Sequence, residues 1–169
     1  LAESFRVVNV TPNSFAEPVS YLRQVLNRED RVKLEPNDVA IISTGGSPIG
    51  VSFRTNICTG YFEQFKDFTP SLDKSCPSAD DEFDSVSIFD PEFDETCINF
   101  LENTRKCEMP LSGFPIGLTN SCRSFVSETI NYTGCVENNQ DNVGCYKNEW
   151  RLYLGKTSPI WKDRREIIM

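Results

Sequence analysis

Apolar and polar positions alternate with period two in several short runs, and each run predicts a half-buried strand. Residues 5–10 open the pattern with Phe5, Val7, Val8 and Val10. Arg31-Val32-Lys33-Leu34 alternates again, and the turn at 35–38 leads into a β-branched run with Val39, Ile41, Ile42 and Thr44, which predicts a buried strand. Residues 148–154 alternate charged side chains with Trp150, Leu152 and Leu154, a turn follows at 155–159, and Ile167, Ile168 and Met169 close the chain in a strand pattern that stops abruptly.

Three stretches carry a helical period instead. After Pro18, residues Tyr21, Leu22, Val25 and Leu26 share one face. Residues 94–103 place Cys97, Phe100 and Leu101 inward, and residues 121–130 do the same with Cys122, Phe125 and Val126. Two of the three helices lie in the middle, with strands on both sides. That distribution predicts a mainly β chain, a sandwich or an open sheet rather than a helical bundle.

Seven cysteines and no histidine in 169 residues then set the chemistry. No Cys-x-x-Cys spacing occurs, so neither a zinc ribbon nor a thioredoxin-type redox pair is supported, and the cysteines predict a disulfide framework made in an oxidising compartment. Cys58, Cys76, Cys97, Cys107, Cys122 and Cys135 are the candidates for three bridges, largely within the middle region and with Cys58 reaching into it. Six cysteines permit 15 pairings, and the spacing selects none. Lack of histidine excludes the serine-histidine-acid triad, the cysteine-histidine dyad and histidine-bearing zinc sites.

Gly45-Gly46-Ser47-Pro48 matches neither dinucleotide nor P-loop fingerprints nor a nucleophile elbow, and reads as a turn. Phe53, Tyr61, Phe62, Phe65 and Phe68, interleaved with Arg54 and Lys66, read as core, with a stacking platform for bases or sugars as the alternative. A net charge of −8 argues against nucleic acid as a partner, because phosphate affinity rests on lysine and arginine. No stretch approaches the roughly 20 apolar residues of a membrane span, so direct membrane insertion is not expected. Between Cys76 and Cys97 lie eight carboxylates without an intervening basic residue. They predict a solvated, self-repelling loop; Asp80, Asp81, Glu82 and Asp84 are the calcium candidates, although the spacing is not that of an EF-hand. Residues 137–142 form a second oxygen-rich turn. No cofactor is implied. Asn9 and Asn131 head the two glycosylation triplets without an intervening proline.

Residues 38–45, 47–54, 58–61 and 68–72 resemble segments of bacterial lamin-tail-like domains, as do 107–111, 130–136, 149–154, Trp161 and 164–168. The resemblance implies an immunoglobulin-like β-sandwich in an exported or surface protein, carrying a cysteine-rich, partly helical insertion at 73–147 within a single domain over 1–169 that is truncated at both ends. It makes Cys145 the extra cysteine, and hence the unpaired thiol, and it brings no catalytic residues. The expected function is a non-catalytic extracellular or cell-surface structural or adhesion module that contacts itself or another surface protein. Two alternatives stand beside it: a secreted hydrolase using paired carboxylates on carbohydrate, and a disulfide-rich inhibitor or toxin-like binder.

Overall fold

The computed structural model describes residues 32, 34–84 and 93–157. The strands expected at 5–10 and 165–169, the helix after Pro18, Arg31, Lys33 and Asn9 lie outside the described residues. Those that are described divide into two compact units, one of 32, 34–55 and 148–157, the other of 56–84 and 93–147.

In the first unit the turn at 35–38 is closed from both sides. Asp38 N donates to the Glu35 carbonyl and Glu35 N to the Asp38 carboxylate, each at 3.0 Å, with Asn37 at a φ of 76°, a left-handed conformation that asparagine tolerates well. Strand β1 (Val39–Ser43) follows directly. It joins β2 (Phe53–Asn56) and β3 (Tyr146–Tyr153) in a three-stranded sheet of order β1-β3-β2. β1 runs parallel to β3, pairing Val39 with Glu149 through Ser43 with Tyr153. Parallel neighbours require a long crossover, and the chain between β1 and β3 supplies it.

The fold is therefore not the mainly β, immunoglobulin-like sandwich that the strand count and the lamin-tail resemblance imply. Among the described residues strand accounts for 15% and helix for 32%, and the one small sheet is mixed. A sandwich needs two sheets burying facing sides, whereas among the described residues every strand belongs to a single sheet. Two local expectations also change. β1 has the composition of a buried strand, yet it lies at the sheet edge with Val39 and Ile42 about half exposed. Arg151, expected to point to water, is buried and pairs through Nε with Glu149 Oε1 at 2.7 Å; alternate residues of a strand share a face, so the two charges meet there.

The second unit is helical. A 3₁₀ turn (Thr59–Gln64) precedes α1 (Ala79–Asp84), α2 (Glu95–Glu102), α3 (Asn120–Thr129) and α4 (Tyr132–Asn139). Each of the last three begins at a side chain that satisfies a free backbone N–H. Asp94 accepts from Cys97 N at 2.9 Å, Thr119 from Cys122 N at 3.2 Å, and Asn131 from Gly134 N at 2.9 Å. The apolar faces of α2 and α3 close on Leu101, Phe125, Val126 and Ile130, with Leu118 and Ala79. Phe83, Phe93 and Phe125 meet edge to face at 4.9 to 5.8 Å, the arrangement favoured by the ring quadrupole.

Candidate functional site

All three disulfides lie in the helical unit: Cys58–Cys135, Cys76–Cys107 and Cys97–Cys122. The last joins α2 to α3, both cysteines fully buried. Cys145 is unbridged and buried, and burial raises its thiol pKa; a protonated, inaccessible sulfur is a poor nucleophile. The aromatic cluster is spent on the interior. Phe53, Tyr61, Phe62 and Phe68 are buried, and Phe62 packs against Tyr132 at 4.3 Å and Phe68 at 6.4 Å between ring centroids. Those rings are closed to bases or sugars, while Phe65 is half-buried.

The acidic run is more ordered than its charge suggests. Ser78 and Asp81 cap α1 reciprocally: Ser78 N donates to Asp81 Oδ2 at 3.0 Å and Asp81 N to Ser78 Oγ at 3.4 Å, a capping box. Hydrogen bonds from Ser78 hold the Asp81 carboxyl below its ordinary pKa. Asp80 is exposed. Glu82 turns the other way and is only 3% exposed. Its Oε2 accepts from Asn138 Nδ2 at 2.8 Å and its Oε1 from Asn139 Nδ2 at 2.7 Å. Asn139 is itself positioned by the Cys135 carbonyl at 2.9 Å and by Asn142 at 3.1 Å. Burial raises the Glu82 pKa; the two amides oppose that shift, and neighbouring Asp81 adds to it. The same carboxylate, together with burial, raises the pKa of Tyr61.

Asp80, Asp81 and Glu82 thus face different surroundings, and the side chain of Asp84 lies outside the described residues. Among the described residues no three histidine, cysteine, aspartate or glutamate side chains gather as a metal would require, and both oxygens of Glu82 are taken up by the Nδ2 groups of Asn138 and Asn139. The residues 137–139 of the second oxygen-rich turn belong to α4, where Asn138 and Asn139 point at Glu82. Asn131 is equally occupied. It is 3% exposed, and its Nδ2 donates to the Ser127 and Glu128 carbonyls at 2.9 Å each. An oligosaccharide on that nitrogen would replace one of its two hydrogens and so remove one of these bonds, and the buried site has no room for it.

A few of the side chains that the helical unit presents to solvent are large and apolar. Residues 109–118 run from the Cys76–Cys107 bridge to α3 and contain no charged side chain. The start is clasped by Gln64, whose Nε2 donates to the Met109 carbonyl and whose Oε1 accepts from Met109 N, both at 2.8 Å. The middle is pinned by Phe114 against Phe100 at 6.3 Å, and the end by buried Leu118. Between these anchors Leu111 is 58% exposed and Ile116 fully exposed. Ile116 sits at the second position of a turn closed by Leu118 N on the Pro115 carbonyl, with Gly117 at a φ of 106° in the third; positive φ there is the signature of a type II turn. Val143 repeats the device. It is fully exposed in the turn closed by Cys145 N on the Asn142 carbonyl, with Gly144 at 90°. Sequence reasoning singled out none of Leu111, Ile116 and Val143; the Ile-Gly and Val-Gly steps were the available signal, since a glycine turn lifts the residue before it out of the core.

No helix among the described residues is long and apolar enough to cross a membrane. No protein-family model matches the chain, and comparison with curated proteins and with solved structures finds no match.

Proposed function

We propose that this chain is a non-catalytic extracellular or cell-surface module that works through protein–protein contact. The observation that carries the reading is the placement of Leu111, Ile116 and Val143, large apolar side chains held in water by a unit crossed by three disulfides. A domain able to bury Leu101, Val126 and Ile130 gains nothing in stability from leaving these outside, and the reading takes them as points of contact. The disulfides favour an oxidising compartment. The carbohydrate hydrolase is disfavoured by Glu82, the buried carboxylate of the acidic run: it is sealed against neutral amides, out of reach of a polymeric substrate.

The test compares binding of fluorescent chain to source cells before and after the cells are treated with trypsin. Binding that trypsin abolishes is expected. Binding that survives trypsin but disappears after glycosidase treatment, or release of reducing sugar from cell-wall polysaccharide by the chain, refutes the reading.

A further inference from the structure

We propose that the peptide bond between Arg105 and Lys106 is a processing site for a trypsin-like protease, and that cutting it gives a two-chain form of the protein held together by all three disulfides. The inference goes beyond the protein-contact reading and stands or falls without it.

Recognition is the first argument. Proteases of this class choose their bond by seating the preceding arginine or lysine over a carboxylate at the base of a pocket, so that side chain must be free to leave the surface. Arg105 is 84% exposed and meets only the Glu108 carboxylate, at 3.6 Å and itself half in water, an ion pair too weak to hold it. Among the described residues Arg105 and Lys106 are the one pair of adjacent basic residues, and Arg105 is the one exposed arginine. The main chain is also within reach. α2 is finished by Asn103 N on the Asn99 carbonyl and followed by Thr104 N on the Leu101 carbonyl. Beyond that, a single bond from Glu108 N, 3.2 Å long, has to yield before the Arg105 carbonyl can enter an oxyanion hole. Whether a cut is tolerated depends on the burial of the backbone it severs, and the residues on either side of this bond are both exposed.

Bridge topology is the second argument. Each disulfide joins a cysteine at or before position 97 to one at or after position 107. A cut between those positions is therefore spanned by all three, and neither chain comes free. The other exposed basic residues of the described chain differ in this respect: Lys66 and Lys74 lie within the Cys58–Cys135 span alone, and Lys156 lies outside every bridge. After the cut α2 stays joined to α3 through Cys97–Cys122, and the new amino terminus stays beside Cys107 and its bond to Cys76. The co-reactant is water. The C–N bond breaks, the Arg105 carbonyl carbon gains the hydroxyl and becomes a carboxylate, and the Lys106 nitrogen leaves as an ammonium group.

The oxidised full-length protein is treated with limiting trypsin, and the first cut within residues 34–157 is located by mass spectrometry with and without reduction. Expected before reduction is the gain of one water with nothing lost from that region, and after reduction one chain ending at Arg105 and another beginning at Lys106. Far-ultraviolet circular dichroism should be unchanged by the cut. The double variant Arg105→Gln/Lys106→Gln, its folding checked by thermal unfolding, should be cut within this region at least about tenfold more slowly, since the protease pocket then has no charged side chain to accept. Protein recovered from its source should carry Lys106 as an amino terminus. A first cut at Lys66, Lys74 or Lys156, an equally rapid cut in the double variant, a nicked protein that unfolds, or source protein intact throughout residues 34–157 overturns the proposal. Stoichiometric inhibition of trypsin by a turn that stays uncut overturns it as well, and makes that turn an inhibitor's reactive loop.

Discussion

Replacing Glu82 tests whether its buried carboxyl group stabilises the fold as an acid or as an anion. The raised pKa means that the folded state holds the proton more tightly than the unfolded chain does. Between the ordinary glutamate value of 4.5 and the raised folded value, the folded protein carries more protons than the unfolded one, so stability falls as pH rises through that window. The contribution of Glu82 is thus full below the ordinary value and is lost as pH passes the folded one. The structure sets the magnitude. Glu82→Ala removes two hydrogen bonds, which in the neutral acid are one accepted from Asn139 Nδ2 and one donated by the carboxyl O–H to a turned Asn138 amide, each contributing about 1 kcal/mol, and Asn138, being exposed, recovers its partner from water. The expected cost near pH 4 is therefore about 1–3 kcal/mol. At pH 7 to 8 the wild type carries the desolvation of a buried anion that alanine does not, and the cost shrinks. Glu82→Gln preserves the shape, because Asn138 can present its oxygen to the new amide, and it removes the titration. Urea unfolding of the oxidised wild type and both variants at several pH values gives the comparison. A Glu82→Ala penalty that grows from pH 4 to pH 8 would show that the two asparagines stabilise the anion more than burial penalises it, and would refute the reasoning.

Two further expectations come from the packing. Gly134→Ala would gain roughly 1 kcal/mol from helix propensity alone, but the added methyl meets the Glu128 carbonyl oxygen and the Thr129 backbone, the latter at 2.6 Å from Cα; a net loss of about 1–3 kcal/mol is expected, and a stabilised variant in thermal unfolding would show that α3 and α4 do not approach so closely. Removing Cys58–Cys135, with a sequence separation of 77, should cost about 4.5 kcal/mol from chain entropy, against about 3.5 kcal/mol for Cys97–Cys122, with a separation of 25; equal losses on paired replacement by alanine, measured by urea unfolding, would put packing rather than loop closure in control.

How much was legible depends on whether a pattern's meaning is local. The periods at 94–103 and 121–130 correspond to α2 and α3 because a capping side chain and an apolar face are both written within one helix. β1 and β3 were legible as strands for the same reason. Their partners were not: alternation says that a residue faces one side of a sheet, not which strand lies beside it, and so a chain with several strand-like runs was read as a sandwich. α4 was missed because Gly134 and the asparagines are poor helix formers; the helix is favoured by tertiary contact, with Asn131 capping it, Cys135 bridged to Cys58, and Asn138 and Asn139 engaged by Glu82. For α1 the signal Ser78-x-x-Asp81 was present and was outweighed by the charge count.

Glu82 and Ile116 violate local expectation in opposite directions, and the two violations differ in meaning. The buried carboxylate is compensated within the fold, since two amides oriented by α4 take up both of its oxygens and the cost of burial is partly offset where it arises. The exposed isoleucine has no such compensation. Its turn, its glycine and the anchors on either side all act to keep it in water. Local rules are expected to fail at functional sites, and this asymmetry is why the proposed contact reading rests on Ile116 rather than on the perturbed acid near Tyr61.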